Sequence, residues 1–346
     1  MLIEYNIGQR YRFSSLLAFL QLCCYISICT FPGLFCRNPI EFGAKAVLLP
    51  RLKKIHIPVH FFPVVAMLFW GLSFIWSAQL LKYYQPVTII FIRLILSSVF
   101  LYSLMYFTGR LEKIARKDFK LIALSALFNP FLYFLCENYG LKFSSPTISA
   151  VIIATIPVFS PLVGYISVRE KLTPLNFTGI AISFSGVLLM LVTPNLSLAA
   201  DIKGVIFLFG AVFAALLYTV TLRKLTDKYS ALMLVANQNL IGIFLFLPIF
   251  VLYEAGPAMA VPLNQEIIVS MLLLSILASS LAFVFFAHSV KLLGISKSNI
   301  FSNLIPVFTA FFSYLLLAES FSVQKVAGIL LVIGGVYLSE RTKKPV

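Results

Sequence analysis

Beyond residue 57 the sequence breaks into a succession of apolar runs, each long enough to cross a lipid bilayer, separated by short connections. The runs fall near 58–81, 85–107, 119–140, 147–168, 172–192, 203–222, 230–253, 266–289, 298–318 and 322–339. A helix needs roughly 20 apolar residues to span hydrocarbon. No water is present there to satisfy backbone N–H and C=O groups, so each run must close its hydrogen bonds internally, as a helix does. The connections carry turn residues, among them Gln85-Pro86, Thr173-Pro174 and Pro194-Asn195. The predicted fold class is an all-α polytopic membrane protein of ten transmembrane helices. Charged residues make up only 11% of the chain, against roughly 25% in soluble domains.

The formal net charge of +15 suggests nucleic acid at first, but the basic residues lie between the apolar runs. One set of alternate connections holds Arg51, Lys53 and Lys54; Arg110, Lys113, Arg116, Lys117 and Lys120; Arg169 and Lys171; Arg223, Lys224 and Lys228; Lys291 and Lys297; and Arg341, Lys343 and Lys344. The other set holds only Lys82, Lys142, Lys203 and Lys325. Basic residues concentrate on the cytoplasmic side of membrane proteins, so both ends of the ten-span core are expected in the cytoplasm. The partners predicted are the lipid bilayer and a small-molecule solute, with no nucleic acid; homodimerisation stays open.

Residues 1–57 stand apart as an N-terminal extension. Ser14–Phe35 is apolar, yet Arg37, Lys45, Arg51, Lys53 and Lys54 follow it and would resist translocation. An accessory helix, a signal anchor and a misassigned start upstream of the basic stretch at 51–54 all remain open. Four of the five cysteines (Cys23, Cys24, Cys29, Cys36) lie here, with Cys136 elsewhere. None forms a CxxC pair, so neither a disulfide framework nor a zinc site is expected. His56 and His60 have an i,i+4 spacing, but Pro58 lies between them and no acidic partner follows. No metal site, catalytic residue or cofactor is therefore predicted, and HExxH, GxSxG and nucleotide-binding loops are missing from the chain.

An internal repeat carries the organisation further. Ile156-Pro157-Val158-Phe159 recurs as Ile305-Pro306-Val307-Phe308. In that ungapped register Lys142 falls on Lys291, Tyr165 on Tyr314, Glu170 on Glu319, Gly179 on Gly328 and Gly186 on Gly335. Spans four and five thus correspond to nine and ten, so each repeat holds five helices. Five is odd, and the second copy therefore enters the membrane inverted, with residues 58–192 and 203–340 as the halves. Two inverted halves can exchange conformations around a midplane site, which is the geometry of alternating access.

Phe69-Trp70-Gly71 with Ser73-Phe74, Phe91-Ile92-Arg93-Leu94, and the tandem Pro-Val-Phe core followed by Glu and a Gly-containing last span resemble the EamA-type branch of the drug/metabolite transporter superfamily. The resemblance covers about residues 58–340. It implies a multi-pass permease of the bacterial plasma membrane with cytoplasmic termini, exporting amino acids, related metabolites or toxic compounds. An intramembrane enzyme would need a nucleophile with a base, or metal ligands, at membrane depth. A structural or signalling protein would carry a sizeable soluble domain. The sequence displays neither.

Polar groups in hydrocarbon are costly and usually face the bundle interior or a cavity. Arg93 is the foremost, poised to attract a carboxylate, pair with Glu137 or bond backbone carbonyls. Glu137 is either an interfacial carboxylate or a cation- or proton-binding one. Asn129, Gln238, His288, Asn299 and Asn303 supply neutral hydrogen-bonding groups, some as interhelical links. Trp76, Tyr133, Phe213 and Tyr218 are candidates to wall a pocket for an apolar or aromatic solute. Pro157 and Pro306 remove a backbone donor in mid-span, which marks them as hinges. Glu170 and Glu319 read as latches at helix ends. Gly179, Ser183, Gly186, Gly328, Gly334 and Gly335 read as close packing between spans five and ten.

Overall fold

The computed structural model describes residues 58–109, 111–160, 174–191, 200–318 and 322–340. The chain divides into units Met1–Pro58 and Val59–Val346, and all helices discussed below belong to the second. The apolar stretch Ser14–Phe35, the N-terminal cysteines, His56, Glu170 and Glu319 lie outside the described residues.

The helices are α1 (Phe61–Leu80), α2 (Pro86–Phe107), α3 (Arg116–Lys142), α4 (Pro146–Ser160), α5 (Pro174–Leu191), α6 (Ile202–Thr226), α7 (Ala231–Met259), α8 (Gln265–Leu293), α9 (Phe301–Leu317) and α10 (Val323–Glu340). Six of them, α1–α3 and α6–α8, are long and apolar enough to cross a membrane, and the other four are shorter apolar helices. No strand occurs among the described residues. Helix starts follow local chemistry. Proline opens α2 and α4, where its missing N–H costs nothing. Ser145, Asp201, Ser230 and Asn264 each accept a backbone N–H at the start of the following helix, satisfying donors that the helix cannot.

The helices follow the expected runs, with differences at their ends. α3 begins three residues early at Arg116, α7 continues to Met259 and α8 to Leu293. The interruptions were not expected. α3 holds a wide turn over Leu127–Leu132, in which Asn129 is extended (φ −147°, ψ 119°) ahead of Pro130. Similar wide turns occupy Phe250–Glu254 of α7 and Leu274–Leu281 of α8.

Packing is reciprocal. α3 lies on α6 as α8 lies on α1; α9 lies on α1 as α4 lies on α6; α2 meets α8 as α7 meets α3. The remaining major contacts pair α2 with α7, α4 with α9 and α5 with α10. The α5–α10 seam is the tightest. A Cβ on Gly186 would lie 2.7 Å from Gly328 O, and one on Gly335 would lie 2.7 Å from Gly179 O. Small residues let two backbones approach this closely.

The connections segregate into two groups at opposite ends of the helices. At one end Lys142 donates to Gln85 (2.6 Å), Tyr83 donates to Glu266 (2.9 Å) and Asp201 N donates to Phe143 O (3.2 Å). At the other, Lys228 and Tyr229 both donate to Asp118 (2.7 and 3.0 Å), and Arg223 donates to Val290 O (3.2 Å). The bond to Asp118 holds the Lys228 ammonium above its usual range.

Glu254 fastens the first of these ends. It is 6% exposed, and its carboxylate accepts from Thr88 N (2.6 Å), Thr88 Oγ1 (2.8 Å) and Val87 N (3.4 Å). A carboxylate of α7 thus caps the N-terminus of α2, whose free N–H groups and dipole favour negative charge. Glu254→Ala is expected to cost about 1–2 kcal/mol, read as a lower melting temperature of the detergent-purified protein. Glu254→Gln should recover part of that loss.

Candidate functional site

Three helix pairs enclose a cavity of about 420 Å³, counting its open mouth. Trp70 of α1 faces Ala215, Tyr218 and Thr219 of α6. Asn129 and Tyr133 of α3 face Phe283 and Phe286 of α8. Ile153 and Ile156 of α4 line it together with Ser302 and Ile305 of α9, with Asn299 just ahead. In the register set by the Ile-Pro-Val-Phe repeat, Ile153 corresponds to Ser302 and Ile156 to Ile305. The two copies of the repeat therefore present the same positions to one cavity.

Pro157 and Pro306 are buried directly beside this wall. Proline has no N–H to give the carbonyl four residues back, and its ring crowds that oxygen. Those carbonyls belong to Ile153 and Ser302, both in the lining. The α-helical pattern breaks there: Thr155 N bonds Ile152 O at 3.0 Å, an i−3 turn, and Phe301–Asn303 is a 3-10 turn.

The polar groups of the lining are oriented from behind. Tyr133 Oη donates to Glu137 Oε1 (2.9 Å) and Tyr218 Oη to Gln238 Oε1 (3.4 Å). Thr219 Oγ1 donates to Ala215 O (2.7 Å), and Trp70 Nε1 to Ala278 O (3.3 Å). Asn299 Nδ2 donates to Ser160 Oγ (3.1 Å). Gln238 is itself held by its amide donating to Ser125 Oγ at 2.8 Å.

A second polar layer lies deeper. Arg93 is 1% exposed. Its Nε donates to Ser279 Oγ (2.7 Å), and its guanidinium lies 3.9 Å from the centroid of Phe134. Phe134 in turn meets Phe283 of the cavity wall (5.8 Å). The wide turn of α8 makes this possible. Ser279 and Ser280 donate back to carbonyls five residues earlier (3.1 and 2.8 Å). Ser280 also meets Ser97 (2.6 Å), which accepts from Asn239 (2.7 Å).

Asn129, Tyr133 and Tyr218 thus line the cavity, with Glu137 and Gln238 one hydrogen bond behind. Arg93 belongs to the deeper layer. Of the alternatives open to Arg93, the ion pair with Glu137 is not formed; the ion pairs among the described residues are Arg223–Asp227 and Lys228–Asp118. Glu137 is not at a solvated interface either, being 8% exposed. Trp76 is buried in α1 away from the lining, and His288 packs its ring edge-on to Phe62 (5.2 Å). Asn303 is buried next to the lining residue Ser302. Phe213 is 52% exposed and turns away from the cavity. The aromatic lining residues Trp70, Phe283 and Phe286 were not singled out as site residues; nor was Ser302, although the repeat register pairs it with Ile153. Among the described residues no group of three or more His, Cys, Asp or Glu side chains could hold a metal ion.

These helices and this internal cavity define a multi-pass membrane protein with a polar, aromatic chamber. The chain belongs to the EamA-like transporter family, whose pattern it matches twice, over residues 58–192 and 202–341. Two uncharacterized transporters of Archaeoglobus fulgidus are similar to it: one is 28% identical across 81% of this chain and 96% of its own length, the other 26% across 80% and 96%. The uncharacterized transporter YetK of Bacillus subtilis is 25% identical over 73% of this chain and 78% of its own. A solved crystal structure, 14% identical, shares the fold with a TM-score of 0.62, covering 82% of this chain and 98% of the other. The protein is a membrane transporter.

Proposed function

We propose that the chain is a secondary carrier that moves a small solute across the cytoplasmic membrane by alternating access, and that it works as ten spans in two inverted halves, residues 58–192 and 203–340. The observation that carries this reading is the cavity wall, to which α4 and α9 contribute repeat-related positions. Reciprocal helix contacts and the sorting of connections to two ends support it. An even number of spans, with the basic connections inside, supports a core with both ends in the cytoplasm. The protein then exports or exchanges metabolites or toxic compounds and catalyses no conversion.

Counterflow in proteoliposomes tests the proposal. A vesicle loaded with unlabelled solute should accelerate uptake of the labelled solute from outside, with saturation. Flux that is linear in concentration and blind to the internal solute would sink it. Pro157→Ala and Pro306→Ala restore the backbone donors that proline lacks. Each is expected to slow counterflow about tenfold, a barrier change of about 1.4 kcal/mol, while solute affinity stays within about a factor of two.

A further inference from the structure

The chemistry of the lining names a solute class, on the premise that this cavity is the transport site. The hydroxyl protons of Tyr133, Tyr218 and Thr219 are all given to protein acceptors, and so is the indole proton of Trp70. What these hydroxyls can turn to a ligand is oxygen lone pairs, which accept but do not donate. Proline adds to the same sign by depriving the Ile153 and Ser302 carbonyls of a helical donor. The rings of Trp70, Tyr133, Tyr218, Phe283 and Phe286 line one chamber, a concentration of π systems whose faces carry partial negative charge. No Lys, Arg, Asp, Glu or His stands in the described lining. The Glu137 carboxylate is one hydrogen bond away through Tyr133. The Arg93 guanidinium is set behind, on the ring of Phe134.

We infer that the cavity selects an organic cation, an ammonium-bearing solute held by aromatic faces and oxygen acceptors. Aromatic faces attract a cation through the ring quadrupole, most strongly when the site is desolvated. An anion entering the same chamber would meet the lone pairs of Tyr133, Tyr218 and Thr219 and would find donors only on the neutral side chains of Asn129, Asn299 and Ser302. Asn129 and Ser302 remain to read a polar edge of the solute.

The chain has two tryptophans, so Trp76→Phe leaves Trp70 as the sole fluorescent reporter in the cavity wall. With that full-length variant in detergent, the probes are choline, its uncharged isostere with carbon in place of the quaternary nitrogen, and a sulfonate anion of similar size. Choline is expected to quench Trp70 with a Kd about tenfold or more below that of the isostere, and the sulfonate should bind most weakly. Phe283→Leu should bring the choline-to-isostere ratio close to one, and Phe283→Tyr should restore it, with melting temperatures confirming that both fold. Equal binding of choline and isostere, or tightest binding of the sulfonate, would overturn the inference. Saturable counterflow of uncharged solutes without charge preference would remove this inference and leave the carrier standing. Selective choline binding without counterflow of any solute would do the reverse.

Discussion

Gly335→Val is expected to disrupt the α5–α10 seam, while Gly334→Ala, one residue away, leaves the protein as stable as before or more so. A side chain on Gly335 would begin 2.5 Å from Ser183 N and 2.7 Å from Gly179 O. Both are backbone atoms, which cannot swing aside as a side chain can. Overpacking a well-filled interior costs typically 1–3 kcal/mol, and a collision with backbone belongs at or above the top of that range. A Cβ on Gly334 meets nothing within 4 Å, and alanine in a helix is favoured over glycine by up to about 1 kcal/mol. Thermal unfolding of the two purified variants, side by side, reads the difference directly. Equal melting temperatures would mean that the seam is looser than its geometry.

The second large effect concerns Arg93. Arg93→Ala removes a fully buried side chain that fills the space between Phe134 and the wide turn of α8. Truncating a large buried side chain costs roughly 2–5 kcal/mol, so the variant should be poorly folded at 37 °C on the order of that loss. Arg93→Lys should not rescue it, because an ammonium lacks the planar group that stacks on Phe134 while bonding Ser279. Arg93→Met should fare better than either. It restores volume and also removes Nη1, which has no hydrogen-bond partner, and replacing a buried charge by a packed apolar group is often neutral or stabilising. Melting temperature and counterflow measured together separate the roles. A Met variant that folds and transports normally would assign Arg93 to packing, and one that folds without transport would assign its charge to the cycle.

Much of this fold was legible in the sequence because hydrocarbon leaves a helix few alternatives. Where the residues are described, the apolar runs placed the helices to within about six residues; the expected end of the fourth run, 161–168, lies outside the described residues. Polar residues inside those runs were equally visible, so Asn129, Tyr133 and Tyr218 could be found without coordinates. Trp70, Phe283 and Phe286 could not. Aromatics make up 15% of the chain, and the same residue types also stand exposed outside the cavity, as Phe213 does. The partner of Arg93 was hidden for a different reason. Ser279 reaches it from a five-residue turn that no 3.6-residue pattern announces. Glu254 was hidden because two of its three donors are backbone N–H groups of another helix, and these carry no residue-specific signal.

The seam between α5 and α10 has one more consequence. Gly186 meets Gly328 while Gly335 meets Gly179, and each of these contacts is the other with the repeat copies exchanged. That is the rule of an isologous dimer interface, in which patch i touches j and j touches i, here satisfied within one polypeptide. A substitution in one copy therefore perturbs one of two equivalent contacts, and its partner substitution perturbs the other. Severed at the connection between α5 and α6, the halves would each display a self-complementary face and should reassociate through it when co-expressed as separate chains.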